Sequence, residues 1–389
     1  MPPGTIAREW ARIGCIGFGG PPAHIALLRK LCVEQHGWLS GEEFEDGIAA
    51  TNLLPGPAST QLAIFCAWRL AGPLGALLGG ICFIVPGLIV ILALAALFLS
   101  SHPPLWVDGA AAGAGAAVPA VAVAAAAGLV PASWRRAGDG WPAFRWVSYL
   151  LAGGVVGALA GPFLVLVLAG CGLAELVIRG SSGQAPESGP APESGRGRLG
   201  AALPLALAVP AAGGLLAVAW VALKVGALSY GGGFVIIPLM QHDAVHTYHW
   251  MTGAQFLSAV ALGQVTPGPV VQTVAVVGYA AAGVGGGLLA SLVAFTPSFA
   301  FVLLGAPRFG LLRRDTRVQS FLTGAGPAAV GAIAGSTVPL ALGLAHLWQL
   351  AVLGLAALWL LALRKNVVAA ITGAAALGVI AALAGAPLS

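Results

Sequence analysis

Long runs of apolar residues, each able to cross a lipid bilayer, dominate this chain of 389 residues. A transmembrane helix needs about 20 consecutive apolar residues. Clean runs occupy 49–71, 73–100, 105–130, 200–223, 254–282, 284–306 and 318–345. Less regular runs occupy 146–178, which "AGPF" at 160–163 divides into a hairpin of two short helices, and the matching pair 347–363 and 366–387. Charged residues make up 8% of the chain, against about 25% in soluble domains. We therefore predict an all-α polytopic membrane protein.

The remaining composition excludes several other classes of protein. The net charge of +5 is typical of Lys and Arg in cytoplasmic loops, so we predict no nucleic-acid partner. The five cysteines form no C-x-x-C motif, which argues against a disulfide framework or a zinc site. His242, His246 and His249 have helical spacing, but no carboxylate or cysteine completes a metal site there. Since no nucleophile with its base and no phosphate loop occurs, we predict neither an enzyme nor a cofactor.

A polar linker rich in Gly, Ser and Pro, at 179–199, separates two repeated halves, 1–178 and 200–389. When the sequence is shifted by 212 residues, Arg12 meets Lys224, Phe18-Gly19-Gly20 meets Tyr230-Gly231-Gly232, Trp38 meets Trp250, and Pro55-Gly56-Pro57 meets Pro267-Gly268-Pro269. After one deleted residue, Gly72 meets Gly283 and Pro86 meets Pro297. Matches of Gly, Pro, Trp and cations indicate a duplication. The patterns "SGEE" and "TGAQ" also recur at equivalent places and predict a capping box at the start of a helix in each half.

Equivalent loops of the two halves carry opposite charge patterns. The loop near 131–146 contains three arginines, whereas its counterpart "AHLWQ" contains no Lys or Arg. Conversely, "PRFGLLRRDTR" contains four arginines, whereas "SSHPPLWVD" contains none. Because cytoplasmic loops are enriched in Lys and Arg, we predict two inverted-topology repeats with 13 transmembrane helices. The run 200–223 supplies the odd crossing, the N-terminus and linker are cytoplasmic, the C-terminus is outside, and Arg29 and Lys30 fall outside as an exception.

Each half contains an apolar segment that is broken by Pro-Gly-Pro. A proline inside a helix removes a hydrogen bond and costs about 3 kcal/mol or more. Within a bilayer such a break survives only where it is buried in protein or lines a polar cavity. Inverted-repeat transporters bind substrate at interrupted helices, whose N-termini offer amide groups to an anion. We therefore predict broken helices that form an anion-binding site, with simple kinks that shape helix packing as the alternative.

Glycine and polar residues around the two breaks are the candidate substrate ligands. The Gly-rich segments permit close approach of a ligand or of a neighbouring helix. Arg12 and Lys224 suggest attraction of an anion, although both could instead extend to lipid headgroups. His24 could bond to an anion, carry a proton or serve as a structural hydrogen-bonder. The candidate set is Arg12, Gly19, Gly20, His24, Asn52, Pro55, Gly56, Pro57, Gln61, Lys224, Ser229, Tyr230, Gly231, Gly232, Gln264, Thr266, Pro267, Gly268, Pro269 and Gln272.

Four of these stretches resemble the chromate ion transporter family in its long two-domain form. They are "FGGPPAH" and "LLPGPASTQLA" in the first half, and "SYGGGFVIIPLM" and "TPGPVVQTVAVVGYAAAG" in the second. The resemblance covers nearly the whole chain. It implies a transporter of the bacterial cytoplasmic (inner) membrane that exports chromate, a tetrahedral dianion similar to sulfate, and so confers chromate resistance. Pro21 and His24 are replaced by Gly233 and Ile236 in the second half, so any role of His24 belongs to one half only.

Export of a dianion is the energetically easier direction. Each negative charge that leaves an inside-negative cell gains roughly 2.3 kcal/mol per 100 mV. Two charges then sustain a gradient above about a thousandfold. We predict export by alternating access, driven by membrane potential or by proton exchange through His24. The alternatives are a sulfate-like oxyanion importer coupled to cations, and a non-transporting membrane scaffold or sensor. The sequence leaves the coupling ion and homo-oligomerisation open.

Overall fold

The computed structural model describes residues 1–52, 54–100, 102–137, 140–159, 163–181, 214–229, 235–306 and 315–388. Helices joined by turns make up these segments and no β-strand occurs within them, which confirms the prediction of an all-α chain. Five parts of the sequence predictions lie wholly or mostly outside the described residues: "AGPF" at 160–163, the linker, the first part of the run 200–223, Tyr230-Gly231-Gly232, and the loop "PRFGLLRRDTR".

Within the described residues, seven α-helices lie in each half. The first half contains α1 (Pro3–Ile16), α2 (Pro21–Arg29), α3 (Gly41–Thr51), α4 (Ala58–Phe98), α5 (Leu105–Ala137), α6 (Trp141–Leu159) and α7 (Leu164–Ser181). The second contains α8 (Leu215–Leu228), α9 (Ile236–Gln241), α10 (Gly253–Val265), α11 (Thr273–Gly305), α12 (Thr316–Leu342), α13 (Leu347–Ala357) and α14 (Val367–Leu383). Five described segments, which include α4, α5, α6, α11 and α12, are long and apolar enough to cross a membrane. The total of 13 crossings stays a prediction.

The elements of the first half recur at equivalent residues of the second. Both ends of α8 lie 212 residues after the corresponding ends of α1, so the described part of the run 200–223 begins the second repeat. A π-helical turn follows α2 at Lys30–Gln35 and follows α9 at His242–Thr247. Both predicted capping boxes are present, with Ser40 Oγ accepting from Glu43 N at 3.1 Å and Thr252 Oγ1 accepting from Gln255 N at 3.2 Å.

The chain reverses direction inside α4 and again inside α11. Gly72 has φ 62° and ψ −151°, and Gly283 has φ 61° and ψ −155°, in a region that is almost restricted to glycine. Beyond each turn the second arm folds back on the first, since Gly79 packs against Ala67 and Gly286 against Gly278. We call the arms α4a (58–70), α4b (73–98), α11a (273–281) and α11b (284–305). Apolar runs divided at these turns were predicted from the sequence.

Each Pro-Gly-Pro break lies at the tip of a helical hairpin. In the first half, α3 and α4a run antiparallel, because Glu43 at the start of α3 pairs with Arg69 at the end of α4a. Gly47 of α3 also packs on Phe65 of α4a. The run 49–71, predicted as one apolar span, therefore divides at the break into two arms that lie side by side.

The helices α1 and α2 form a second hairpin of the same kind. The amino group of Met1 donates to Leu70 O at 3.3 Å, so α1 begins where α4a ends. Arg29 at the end of α2 pairs with Glu45 near the start of α3. The outer ends of both hairpins therefore lie together, at what we call the N-terminal face of the bundle.

The two halves interlock through small residues. The arms α4b and α11b pack antiparallel, with Gly80 against Phe299 and Gly287 against Leu92. Helix α6 of the first half contacts α12 of the second through Gly153, and α14 contacts α5 through Gly113. Glycine allows the backbones of membrane helices to approach closely, which supplies packing where lipid offers no hydrophobic contrast.

The charged residues at helix ends identify which ends share a face. Glu175 near the end of α7 accepts from Arg145 near the start of α6 at 3.0 Å and from Arg179 at 2.7 Å. Helix α12 runs antiparallel to α7, with Phe321 beside Gly172 and Gly324 beside Cys171. Trp146 near the start of α6 donates to Ser133 Oγ near the end of α5 at 2.9 Å. Because α4b leads away from the N-terminal face and α5 returns toward it, the ends of α5 and α7 and the starts of α6 and α12 lie at this face.

Replacing Gly72 by Ala should destabilise the protein. A Cβ at Gly72 meets no other atom within 4 Å, so the cost is that of the backbone conformation, about 1–3 kcal/mol. Gly285, which lies in helical conformation with open space around it, is the matched control. We expect Gly72→Ala to lower the thermal unfolding temperature in detergent and Gly285→Ala to leave it unchanged or raised. Equal unfolding temperatures for the two variants would contradict the reversal at Gly72.

Candidate functional site

The tips of the hairpins meet at the centre of the bundle through two reciprocal hydrogen bonds between the halves. The N–H of Gly56 in the first break donates to Ser229 O at 2.6 Å. The N–H of Gly268 in the second break donates to Gly17 O at 3.0 Å. Since Gly17 and Ser229 are also equivalent residues, the contact obeys a two-fold relation. Each break is thus held by the Gly-rich segment of the other half.

The first break is closed by a glutamine and leaves no room for a side chain. Gln61 Nε2 donates to Pro55 O at 2.8 Å. Gly56 has φ 127°, and a Cβ there would collide with Gln61 and lie 3.2 Å from Ser298 Oγ. Ser298 belongs to α11b, so this break is lined by residues of both halves.

The second break is closed across the halves. Gln272 lies three residues after its break and Gln61 four residues after the first, because the second half is one residue shorter there. Gln272 donates through Nε2 to Ile84 O of α4b at 2.6 Å. Gly87 of α4b packs directly against Pro267. Thr266 donates through both its N–H and its hydroxyl to Leu262 O, at 3.0 and 2.8 Å. These bonds provide the partners that a broken backbone needs away from water.

Several buried polar atoms around the breaks have no hydrogen-bond partner among the described residues. At the first break they are Thr60 Oγ1, Gln61 Oε1, Ser229 Oγ and Ser298 Oγ, and at the second they are Gln264 Nε2 and Gln272 Oε1. An unpaired buried polar group costs about 1–3 kcal/mol. Groups of this kind at one place indicate a site where a bound ligand or water supplies the partner.

His24 joins the first Gly-rich segment to α4. It is fully buried, with Nε2 2.9 Å from Gly17 O and Nδ1 3.2 Å from Ser59 Oγ. Because a carbonyl only accepts, Nε2 donates to Gly17 O, and in the neutral ring the Ser59 hydroxyl donates to Nδ1. Gly17 O therefore accepts from both His24 and Gly268. The structure gives His24 a positioning role, and its predicted role in anion or proton binding stays a prediction.

Gly19 and Gly20 bring the start of α2 against the second break. Both have positive φ, 99° and 72°, and a Cβ on Gly20 would lie 3.5 Å from Val270 Cγ2. The start of α2 is poor in amide donors, however. Pro21 and Pro22 have no N–H, and the next two amides both donate to Gly20 O.

The two predicted cations do not line the centre as free charges. The side chain of Arg12 is 67% exposed and lies 3.7 Å from Glu9. Lys224 is 12% exposed, and its Nζ lies 2.5 Å from Asp243 Oδ2 and 5.7 Å from the centre of the Trp220 ring. Asp243 was missed by the sequence reasoning because the equivalent residue is Leu31, so the repeat comparison gave no signal there.

The remaining predicted residues differ in their surroundings. Asn52 follows α3 and is exposed, whereas its equivalent Gln264 is 7% exposed. Ser298 was missed by the sequence reasoning because it lies in an apolar run far along the chain from Gly56. Sequence alone gave no sign that a single serine in α11b meets the first break.

Helices that can cross a membrane, folded around a buried polar centre at the tips of broken hairpins, define a multi-pass membrane transporter. Comparison with known families is more specific: the sequence profile of the chromate transporter family matches residues 4–176 and 216–379. The chain belongs to the chromate transporter family.

Individual relatives cover most of the chain. A chromate transport protein of Cupriavidus metallidurans is 31% identical over 347 residues, which is 86% of this chain and 82% of that protein. A probable chromate transport protein of Synechococcus elongatus is 29% identical over 338 residues, 86% of this chain and 84% of that protein. A chromate transport protein of Pseudomonas aeruginosa is 29% identical over 366 residues, 87% of this chain and 82% of that protein. No solved structure matches the chain.

Replacing Lys224 by Gln should destabilise the protein by leaving Asp243 buried without its counter-ion. Breaking one partner of a buried pair costs about 3–5 kcal/mol. In the double variant Lys224→Gln/Asp243→Asn no charge is left unpaired, so we expect most of the stability and the oxyanion flux to return. Thermal unfolding in detergent and flux in vesicles measure the two effects. A stable double variant without flux would show instead that the Lys224 charge itself is needed for transport.

Proposed function

We propose that this protein exports chromate from the cytoplasm by alternating access, and that the oxyanion binds where the two breaks meet. The observation that carries the proposal is the cluster of buried polar atoms without partners at a place to which both halves contribute. Relatives that are named chromate transport proteins support chromate as the substrate. A site shared by two repeats suits alternating access, because a small rotation of one repeat against the other opens it to either side.

Antiparallel packing of equivalent arms supports the inverted arrangement of the repeats. The arms α4b and α11b are equivalent in sequence, and their contacts run in opposite directions. Two equivalent antiparallel helices are related by a two-fold axis perpendicular to both. For helices that cross a bilayer, this axis lies in the membrane plane, as in inverted-repeat transporters.

Charge at the N-terminal face supports its assignment to the cytoplasm. Helix α14 runs antiparallel to α5, with Ala382 beside Gly109 and Ala374 beside Gly113, so the start of α14 lies near the end of α5. The helix ends at this face carry Arg29 and Lys30, Arg69, Arg135 and Arg136, Arg145, Arg179, Arg317, and Arg364 and Lys365. By contrast, the described residues 99–100, 102–104, 248–252 and 343–346 at the opposite face include no Lys or Arg. The positive-inside rule then places the N-terminus in the cytoplasm and the end of α14 outside. Arg29 and Lys30 cease to be exceptions, because their hairpin returns to the face from which it started.

An open cavity at the opposite face supports a release path to the outside. The cavity has a volume of about 380 Å³, and its lining includes Asp108, Gln255 and Gln349. It also reaches Leu262, whose carbonyl accepts both hydrogen bonds from Thr266 beside the second break. One helical turn thus separates the cavity from the proposed binding region.

The neutral polar side chains of this centre are compatible with transport of a dianion that is driven by the membrane potential. Its unpartnered polar atoms belong to Thr, Ser and Gln side chains, which are neutral. A dianion bound there keeps its two charges, and each gains roughly 2.3 kcal/mol per 100 mV on leaving the cell. Proton exchange through His24 is the second proposed contribution.

Chromate flux in inside-out membrane vesicles tests the proposed function. An inside-positive potential of 100 mV should drive accumulation of chromate, with an equilibrium gradient above about a thousandfold. Vesicles whose potential has been dissipated by an ionophore, and vesicles without the protein, are the controls. Absence of potential-driven chromate flux from folded protein would overturn the export proposal. If the oxyanion moved only toward the cytoplasmic side and required co-transported cations, the result would favour the sulfate-like oxyanion importer.

Cysteine labelling at two equivalent residues tests the topology. Gly41 and Gly253 each begin a helix after a capping box and have open space around them. With the exposed native Cys15 replaced by Ser, we expect Gly41→Cys to react with a membrane-impermeant maleimide only in inside-out vesicles. Gly253→Cys should react only in intact cells whose outer membrane has been made permeable to the maleimide. Reaction of both from the same side would contradict the inverted arrangement.

A further inference from the structure

The two breaks are equivalent in backbone but different in chemistry. Four residues with hydroxyl groups surround the first break, and each is replaced at the second by a residue without one. The second half is one residue shorter directly after its Pro-Gly-Pro motif, so the shift is 212 residues up to that motif and 211 beyond it. The pairs, first break then second, are Ser59 and Val270, Thr60 and Val271, Ser229 and Gly17, and Ser298 and Gly87. Hydroxyl groups donate to anions, whereas Val and Gly side chains offer no donor.

Three of these hydroxyl groups are buried without a hydrogen-bond partner among the described residues. In a helix, the hydroxyl of Ser or Thr usually donates to a carbonyl of the preceding turn. Thr60, Ser229 and Ser298 are fully buried, and their hydroxyls have no hydrogen-bond partner among the described residues. In the same helix as Ser298, the hydroxyl of Thr296 donates to Leu292 O at 2.8 Å, the ordinary bond to the preceding turn. The hydroxyl of Ser298 is instead left available beside Gly56.

Backbone contacts bring the three hydroxyl residues to one place. Gly56 donates to Ser229 O at 2.6 Å, and the position of its absent Cβ lies 3.2 Å from Ser298 Oγ. Thr60 belongs to the first turn of α4a, directly after the break. At this helix start the amides of Thr60 and Gln61 donate to Pro57 O at 2.9 and 3.0 Å. The N–H groups of Ala58 and Ser59 remain, and they carry the positive end of the helix dipole. Hydroxyl donors from both halves therefore surround a helix start that favours negative charge.

We propose that the transported oxyanion binds at the first break, with Thr60, Ser229 and Ser298 as its hydroxyl ligands, and that the second break is a structural counterpart. This inference rests on the proposed transport function and specifies its site. The hydrogen bond of Gly268, the bond from Gln272 Nε2 to Ile84 O and the packing of Gly87 on Pro267 hold the second break. The hydroxyls of Thr266 and Thr273 there already donate to the carbonyls of Leu262 and Val270, and Gln264 Nε2 is the side-chain donor that stays without a partner among the described residues. The pseudo-symmetric fold thus carries one oxyanion site.

Exchange of Thr and Val at equivalent residues tests the inference with little change of shape. Thr60→Val removes a hydroxyl from the first break, and Val271→Thr adds one at the same place in the second. Ser298→Ala removes a second hydroxyl from the first break. Loss of one hydrogen bond to a charged ligand should raise the half-saturating chromate concentration for flux about 10-fold to 100-fold. We expect this increase in Thr60→Val and in Ser298→Ala, and no more than about 2-fold change in Val271→Thr.

Two readouts separate failure of the inference from failure of the proposed function. Native protein must show potential-driven chromate flux, and its absence would overturn the proposed function and this inference with it. If the native protein transports chromate and the Thr60 and Ser298 variants keep the native half-saturating concentration, the inference is overturned while the function stands. An equal loss in Val271→Thr would also overturn it.

For variants that reach the membrane in amounts too small for a flux assay, binding of an oxyanion to the purified protein is measured instead. Titration of sulfate, a non-oxidising tetrahedral dianion, measures affinity without transport, after size-exclusion chromatography has selected folded protein. Weaker sulfate binding in Thr60→Val but not in Val271→Thr supports the inference, and equal binding in both variants contradicts it.

Discussion

Two reciprocal backbone hydrogen bonds, from Gly56 to Ser229 O and from Gly268 to Gly17 O, determine how this chain is assembled. A break in a membrane helix leaves backbone groups that water cannot satisfy at depth. Here each half supplies the missing acceptor for the other. Neither break is therefore complete without the opposite half, and the place where the breaks meet is a property of the duplicated chain.

The same arrangement explains why the centre contains so little formal charge. Lys224 is neutralised by Asp243, and Arg12 is exposed beside Glu9. An unpaired cation in a membrane interior is costly, whereas hydroxyls, amides and helix starts can contact an anion at lower cost. A neutral site also binds a dianion less tightly than a cationic one. In the proposed export, release is then easier, and the full charge of the dianion remains available to the membrane potential.

Local features of the sequence predicted a large part of this fold. The duplication, the capping boxes at Ser40 and Thr252, and the divisions at Gly72 and Gly283 all follow from short patterns of Gly, Pro and polar residues. The folding back of α4a on α3 was not predicted, because it depends on contacts such as Glu43 with Arg69 that leave no periodic signal. The Gly residues and glutamines of the breaks were identified for the same local reason. Ser298 and Asp243 were not, since each gains its significance from a partner on another helix.

A cryo-electron microscopy structure with bound tungstate, a tetrahedral dianion with a heavy central atom, would test the location of the site most directly. We expect strong density at the first break, within hydrogen-bond distance of Thr60 and Ser298 and beside the start of α4a. Density at the second break alone, or at Arg12 or Lys224 with the first break empty, would contradict it.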